Sequence, residues 1–259
     1  MTVKTIVELN EVTKIYEGKV MHRALNRLSF EAMEGEFVAV MGPSGSGKTT
    51  LLNLISSIDL PTYGRLKIGG IEPELLSENK LALFRRRNLG FVFQEFNLLN
   101  MLTVEENIVL PLTLDGLPLA EMEKRLAALS EKLGLAEFLD KRPDELSGGQ
   151  AQRTAIGRAL VHKPKIILAD EPTGNLDSRS AKEVLELLGE INEVERTTII
   201  MVTHDPIAAS YCDRVLFIKD GEFFNEIYKD EQRQTFFQRI LNVLSLLGGH
   251  HDLSSVRLP

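Results

Sequence analysis

Short apolar runs separated by helical patterns dominate the sequence. Near the N-terminus an almost alternating pattern of apolar and polar positions predicts strand structure, with apolar residues at Val7, Leu9, Val12 and Ile15. The uninterrupted apolar run at residues 37–41 predicts a strand that is covered on both faces, as in a parallel sheet. A glycine-rich turn follows this run, and after it the pattern predicts a helix from Lys48 to about Ile58.

Further apolar runs predict strands at residues 89–93, 166–169, 198–202 and 215–218. Helical patterns lie between several of them, including a stripe with a spacing of three and four formed by Val184, Leu187, Leu188, Ile191 and Val194. Strands that alternate with helices indicate a doubly wound α/β sheet. Residues 96–160 are mostly helical in pattern, so we predict that a helical subdomain is inserted there.

The character of the chain changes near its C-terminus. Residues 230–247 predict one amphipathic helix, with Gly248 and Gly249 at its end and an apolar side formed by Phe236, Phe237, Ile240, Leu241, Leu244 and Leu247. We therefore predict a main domain at residues 1–225 and a C-terminal helical extension and tail at residues 226–259. The helix could pack on its own domain or on a second copy, or it could contact a membrane surface or a partner.

A glycine-rich segment between the predicted strand at 37–41 and the next helix fits the pattern G-x-x-x-x-G-K-[ST]. Its glycines let backbone N–H groups converge on phosphate oxygens, and the helix N-terminus favours the same negative charge. Lys48 adds a cation for the β- and γ-phosphates, and the Thr49 hydroxyl can ligate Mg²⁺. The predicted nucleotide-binding residues of this phosphate loop are Gly42, Pro43, Ser44, Gly45, Ser46, Gly47, Lys48, Thr49 and Thr50.

Two adjacent carboxylates end the predicted strand at 166–169. Burying such a pair is costly unless a cation lies near, and a magnesium–phosphate site supplies one. Asp170 is placed to hold the metal, and Glu171 could act as a general base toward water. The alternative is a strand that simply ends in solvated acids.

The motif Leu-Ser-Gly-Gly-Gln at residues 146–150 precedes a helical stretch, with Ser147 as a natural N-cap. Alone it would fit an ordinary turn at the start of a helix. Together with the phosphate loop and the acidic strand, in this order, it makes the chain resemble an ATP-binding subunit of ABC transporters from about residue 3 to residue 224. The resemblance implies a P-loop NTPase of the α/β class, with a RecA-like parallel sheet and an antiparallel β region at the N-terminus.

The resemblance also assigns single residues. It implies that Tyr16 stacks on adenine, that Gln94 contacts Mg²⁺ and the attacking water, and that His204 contacts the γ-phosphate. Each of these residues has a plainer alternative: a strand aromatic in the core for Tyr16, a surface amide for Gln94, and a helix cap for His204. The implied catalytic residues are Glu171, His204, Gln94 and Lys48, and the implied metal ligands are Thr49, Gln94 and Asp170.

In the family, a phosphate loop and a signature motif act on one nucleotide only when they come from different chains. The resemblance therefore implies a head-to-tail homodimer with two ATP molecules between the subunits. Ser147 and Gly149 of one chain would close over the γ-phosphate held by the other chain. Residues 175–177, which include Asp177, would form the loop that crosses between the subunits.

Composition is that of an ordinary soluble globular protein. The 259 residues include 43% hydrophobic and 26% charged residues, which is ordinary for a globular chain, and the formal net charge of -7 disfavours a nucleic-acid partner. The sequence has neither the apolar region of a signal peptide nor a spanning stretch of roughly 18 residues. If the protein acts at a membrane it needs a partner that spans it, and the resemblance implies a subunit at the cytoplasmic face of the membrane with an integral permease as that partner.

Residues 91–99 and 172–177 resemble one branch of the family, which contains macrolide exporters, lipoprotein-release machines, the cell-division ATPase and bacitracin-type peptide-resistance transporters. The C-terminal extension most resembles the peptide-resistance group. The predicted function is therefore to power a permease for resistance to antimicrobial peptides or their export. Lipoprotein release, macrolide export and cell-division-type regulation are the alternatives.

Overall fold

The computed structural model describes residues 4–18 and 20–248. They form two compact units. The first contains the described residues up to Leu76 together with those from Met201 onward, and the second contains Ser77–Ile200. Within the described residues, no helix is both long enough and apolar enough to cross a membrane.

The first unit contains an antiparallel sheet with the strand order β2-β1-β4. Its strands are β1 (Thr5–Tyr16), β2 (His22–Met33) and β4 (Tyr63–Ile68). Leu9 of β1 lies opposite Phe30 of β2 and opposite Leu66 of β4, and all three side chains are buried. The predicted antiparallel region at the N-terminus is thus present, although the sequence pattern had indicated only its first strand.

A second sheet in this unit has the order β7-β3-β8-β9. Its members are β3 (Phe37–Met41), β8 (Arg214–Lys219), β9 (Glu222–Tyr228) and the last two residues of β7 (Thr198–Val202). β3 pairs with β8 in parallel, and β8 pairs with β9 in antiparallel orientation. All five residues of β3 are buried, as its uninterrupted apolar run predicts.

Helix α1 (Lys48–Ile55) begins at the predicted residue but ends at Ile55 rather than near Ile58. The amides of Ile58 and Asp59 both turn back to the carbonyl of Asn53, and Ser57 adopts a left-handed φ of 57°. These contacts close the helix before the next turn can form.

In the second unit the strand order is β5-β6-β7, with β5 (Leu89–Phe93) parallel to β6 (Ile166–Asp170). The helices of this unit are α2 (Glu78–Asn88), α3 (Val104–Leu114), α4 (Leu119–Lys132), α5 (Gly148–Leu160) and α6 (Ser178–Glu195). Every regular element assigned between Val104 and Leu160 is helical, which agrees with the predicted helical insertion.

The first unit also contains α7 (Pro206–Ala209) and the C-terminal helix α8 (Arg233–Leu247). The buried side of α8 consists of Phe236, Ile240, Val243 and Leu247. Arg233 lies with its guanidinium carbon 4.3 Å from the centre of the Tyr211 ring. The helix thus packs its apolar stripe within its own unit. The predicted boundary at residue 226 falls inside β9, and residues 249–259 of the predicted tail lie outside the described residues.

Candidate functional site

The phosphate loop joins the end of β3 to the first residue of α1. Gly45 and Gly47 adopt left-handed φ angles of 78° and 99°, which side chains rarely tolerate. A Cβ atom on Gly47 would also lie 2.5 Å from the carbonyl oxygen of Ala24. Glycine is therefore required at position 47 both by the backbone conformation and by the lack of space. A Cβ atom on Gly45 would meet nothing within 4 Å, which leaves the loop open on that side.

The loop is fixed by hydrogen bonds to its own backbone and to a distant turn. The Lys48 ammonium donates to the carbonyls of Gly42 at 2.9 Å and Pro43 at 2.8 Å. From the β8–β9 turn, the amide of Gly221 donates to the carbonyl of Ser46 at 3.1 Å. The Lys48 side chain therefore lies across the phosphate loop and contacts its first two residues.

The donors around this loop suit an anionic phosphate. The hydroxyl of Ser46 is buried and has no hydrogen-bond partner in the part of the chain that the structure describes. Such an orphaned hydroxyl is unfavourable unless a ligand pairs with it. A cavity of about 160 Å³ opens beside the loop and is lined by His22, Ala24, Gly45, Gly47, Lys48, Thr49 and Thr50.

Tyr16 lies at the end of β1 and is 37% exposed, so its ring is not the core aromatic of the plainer alternative. The ammonium of Lys14 lies 5.0 Å from the ring centre. Burial raises the pKa of Tyr16, a hydrogen bond with Thr50 lowers it, and the Asp59 carboxylate raises it. The contact with Thr50 places the phenol next to a residue of the predicted nucleotide-binding set.

In the second unit, the acidic pair ends β6 as the sequence predicts. Asp170 is the last residue of the strand, and Glu171 follows it with a left-handed φ of 47°. Both side chains are half-buried. The amide of Gly174 donates to the carbonyl of Glu171 at 3.0 Å and closes a tight turn. A residue other than glycine in this conformation is uncommon, and such strain is concentrated at functional sites.

Gln94 follows β5 and is joined to the segment after Glu171 by two hydrogen bonds. Its amide nitrogen donates to the side-chain oxygen of Asn175 at 3.2 Å, and the Asn175 amide donates to the Gln94 carbonyl at 3.2 Å. A Cβ atom on Gly174 would lie 2.8 Å from the Gln94 amide nitrogen. The structure therefore brings Gln94 together with the predicted crossing loop of residues 175–177, although 81 positions separate Gln94 from Asn175.

Ser147 caps α5 in a reciprocal arrangement. Its hydroxyl accepts from the amide of Gln150 at 3.3 Å, and its own amide donates to the Gln150 side chain at 2.8 Å. Gly149 lies so close to α6 that a Cβ atom on it would be 3.0 Å from the Ser180 hydroxyl. The first turn of α5 contains two glycines after this cap, and the N–H groups at a helix N-terminus suit an anion.

Asp177 caps α6 by accepting hydrogen bonds from the amides of Arg179 and Ser180, both at 3.0 Å. The Ser180 hydroxyl donates to the same carboxylate at 2.7 Å and lowers the pKa of Asp177. In the single chain this carboxylate therefore defines the start of a helix.

His204 is exposed and follows β7, just before α7. The alternative that His204 caps this helix is not what the structure contains, because the neighbouring Asp205 accepts from the amide of Ile207 at 2.8 Å. Sequence reasoning did not single out Gln152 or Arg158 of α5. Both donate to backbone carbonyls near Gln94, and no sequence motif signals such contacts.

A family model described as "ABC transporter" matches residues 25–174, which is more than half of the chain. The chain belongs to the ABC transporter family. It is an ATP-binding subunit and an ATPase, and the predicted family and fold are both confirmed.

The relatives that match this ABC ATPase along almost its whole length include two ATP-binding proteins, YxdL and BceA. The ABC transporter ATP-binding protein YxdL of Bacillus subtilis is 58% identical over 254 residues, covering 98% of this chain and 99% of the relative. The bacitracin export ATP-binding protein BceA of Halalkalibacterium halodurans is 50% identical over 246 residues, covering 94% and 97%.

A solved structure gives the corresponding likeness in three dimensions. It is a dimeric, post-hydrolysis state of the ATP-binding cassette MJ0796 of Methanocaldococcus jannaschii bound to ADP and Pi. The TM-score is 0.80 at 41% identity, and the match covers 88% of this chain and 100% of that one.

Proposed function

We propose that this ATPase works as a head-to-tail homodimer at the cytoplasmic face of the membrane, where it powers an integral permease. The proposed task of the permease is resistance to antimicrobial peptides of the bacitracin type, or their export. The observation that carries this proposal is the 50% identity to the bacitracin export protein BceA along 94% of the chain. The dimeric state of the MJ0796 cassette, with ADP and Pi bound, supports the proposed assembly.

The C-terminal helix supports the finer assignment. The match to YxdL leaves only 2% of this chain uncovered, so it includes the region of α8. A likeness to YxdL that extends through α8 is consistent with a task particular to this branch.

In the proposed mechanism the first unit holds the nucleotide. Tyr16 stacks on adenine, the backbone N–H groups of the phosphate loop surround the phosphates, and Lys48 supplies positive charge to the β- and γ-phosphates. His204 supports the charge that develops on the γ-phosphate.

The remaining residues of the proposal supply the reaction chemistry. Thr49, Asp170 and Gln94 offer hydroxyl, carboxylate and amide oxygens, which are the donor types that Mg²⁺ prefers. Bound Mg²⁺ would neutralise charge on the phosphates. Glu171 orients the attacking water and accepts its proton, and Gln94 fixes the position of that water.

Each chain carries one phosphate loop and one signature motif, so we propose that two copies complete each other's sites. Ser147 and Gly149 at the N-terminus of α5 contact the γ-phosphate held by the partner subunit. Asp177 lies in the loop that crosses to that subunit. Loss of the γ-phosphate removes the anion that both halves bind, so hydrolysis reopens the dimer and moves the permease.

The Glu171→Gln variant tests the catalytic assignment. We expect it to bind ATP and to elute as a dimer in ATP, with turnover reduced at least a hundredfold, because general-base catalysis is typically worth about that much. The measurements are phosphate release and size-exclusion chromatography with and without ATP. Wild-type turnover in this variant would remove Glu171 from the proposed role.

Lys48→Ala is the contrasting variant in the same experiment. Charge-assisted hydrogen bonds to phosphate are worth about 1.5–3 kcal/mol, so we expect nucleotide affinity itself to fall by about tenfold or more. Lys67→Ala, on β4 of the same unit, is the matched control and should keep its affinity. Unchanged affinity in Lys48→Ala would contradict the proposed phosphate cradle.

Peptide sensitivity tests the finer assignment. In a strain that lacks this ATPase, we expect greater sensitivity to bacitracin, which the wild-type chain restores and Glu171→Gln does not. A strain whose bacitracin sensitivity is unaffected by the deletion would reject the peptide-resistance function and leave the ATPase assignment intact.

A further inference from the structure

The fully buried side chain of Gln152 joins the helix that carries the signature motif to both strand ends that carry the proposed catalytic groups. Its amide nitrogen donates to the carbonyl of Phe93 at 3.3 Å and to the carbonyl of Pro172 at 2.5 Å. Phe93 immediately precedes Gln94, and Pro172 immediately follows Glu171. Both hydrogen bonds lie within the second unit.

We propose that Gln152 is a positioning residue that sets the backbone at Gln94 and Glu171 for ATP hydrolysis. This inference rests on the catalytic roles proposed above for those two residues. Gln152 itself lies behind the backbone and has no role in contacting the substrate.

The backbone conformation of Glu171 needs support from neighbouring groups, and the hydrogen bonds of Gln152 supply part of it. Its left-handed φ of 47° is a strained state for a residue with a side chain, and such states persist only where the surroundings impose them. The amide of Gly174 donates to the carbonyl of Glu171, and the side chain of Gln152 donates to the carbonyl of the next residue, Pro172. The backbone of the proposed general base is therefore held by hydrogen bonds to two consecutive carbonyls, its own and that of Pro172.

The segment that contains Gln94 is held by α5 at both of its ends. Gln152 holds Phe93, and the guanidinium of Arg158 donates to the carbonyls of Phe96 at 2.9 Å and Asn97 at 2.6 Å. Phe96 and Asn97 both adopt left-handed φ angles, 61° and 48°. Since both anchors come from one helix, the position of Gln94 follows the position of that helix.

A purely space-filling role does not account for the choice of an amide. The side-chain oxygen of Gln152 is buried and has no hydrogen-bond partner among the described residues. An unpaired buried polar atom is destabilising, and an apolar side chain of the same length would avoid it. The amide is therefore explained by the two hydrogen bonds that its nitrogen donates.

The test compares Gln152→Met, which keeps the length of the side chain and removes the donor, with the wild-type full-length chain. We expect kcat for ATP hydrolysis to fall about tenfold, the effect of roughly two lost hydrogen bonds, while KM for ATP changes less than about twofold. KM is retained because the phosphate loop lies in the other unit. Turnover is expressed per binding-competent site, counted by stoichiometric titration with an ATP analogue.

Thr154→Val is the matched control. Thr154 is also fully buried on α5, but its hydroxyl donates only within the helix, to the carbonyl of Gln150 at 2.9 Å. This variant should keep its kcat per site. If Gln152→Met does not fold, Gln152→Leu replaces it, because leucine also lacks a donor at this fully buried position, and the same loss of kcat is expected.

Wild-type kcat per site in the donorless variant overturns the inference, as does an equal loss in Thr154→Val. Glu171→Gln is measured in parallel to separate this result from the proposed function. If Glu171→Gln turns over normally, the catalytic assignment itself fails. If Glu171→Gln is inactive and the Gln152 variant is normal, only the positioning role fails.

Discussion

Gly45 and Gly47 have similar left-handed backbones but different surroundings, and this difference can be measured. Alanine at Gly45 meets no neighbouring atom within 4 Å, so we expect only the backbone cost of about 1–2 kcal/mol. Alanine at Gly47 adds a clash with the backbone of Ala24, and overpacking costs about 1–3 kcal/mol more. The free energy of unfolding, measured by urea titration, should therefore fall further for Gly47→Ala.

Equal destabilisation by the two substitutions would show that the carbonyl of Ala24 moves aside at little cost. It would contradict the inference that the backbone of β2 at Ala24 limits the space beside Gly47.

At the scale of residues, the sequence predicted the groups that motifs define and missed those that tertiary contacts define. The phosphate loop, the acidic pair and the signature motif could be predicted because each needs a local order of residue types. Gln152 and Arg158 could not, because their partners are backbone carbonyls 20 to 62 positions away in the chain. Every residue has a backbone carbonyl, so the residue type does not indicate which carbonyl will accept a side-chain hydrogen bond.

At the scale of elements, α8 behaves as part of its unit. Phe236 is fully buried, whereas Leu246 on the same helix is 69% exposed. We expect Phe236→Ala to lower the free energy of unfolding by about 3–5 kcal/mol, the usual effect of emptying a core aromatic site. Leu246→Ala, the matched control, should change it by less than about 0.5 kcal/mol.

Urea titration of the two variants decides the matter. If Phe236→Ala is as stable as the wild type, α8 is a loosely attached extension rather than a packed element.

Most of the strands that the sequence predicted have nearly uniform burial. Strands β3, β6, β7 and β8 are almost wholly buried, and their apolar runs are continuous. The pattern did not indicate β4 or β9, because most of their side chains are exposed or half-buried. It also did not indicate β2, whose buried and exposed positions alternate only in part. A strand whose side chains are mostly exposed is defined by its hydrogen bonds to a neighbour, and residue hydrophobicity does not report those.

At the scale of the whole molecule, His162 makes the free energy of unfolding depend on pH in a range above the one in which carboxylates titrate. Burial lowers the pKa of His162, against opposing effects of the hydrogen bond to the Leu89 carbonyl and of Asp115. As the pH falls below the ordinary value of 6.5, the unfolded chain gains this proton first, so unfolding becomes more favourable. We expect the free energy of unfolding to decline below about pH 6.5.

His162→Gln should remove this decline while keeping a donor for the Leu89 carbonyl. Urea titrations between pH 5 and pH 8 would then give a flat profile for the variant and a sloping one for the wild type. Parallel profiles would mean that another group causes the decline. Below this range, stability should fall in both proteins, because hydrogen bonds hold the pKa of Asp59 and of Asp177 below their usual values.

The hydrogen bond from Gly221 to the carbonyl of Ser46 has a consequence for synthesis on the ribosome. The phosphate loop emerges early, but the turn that braces it is made only after more than 170 further residues. Until Gly221 is made, the Ser46 carbonyl lacks this donor, although Lys48 already holds the carbonyls of Gly42 and Pro43. We therefore expect an incomplete chain to bind the triphosphate more weakly than the finished subunit does.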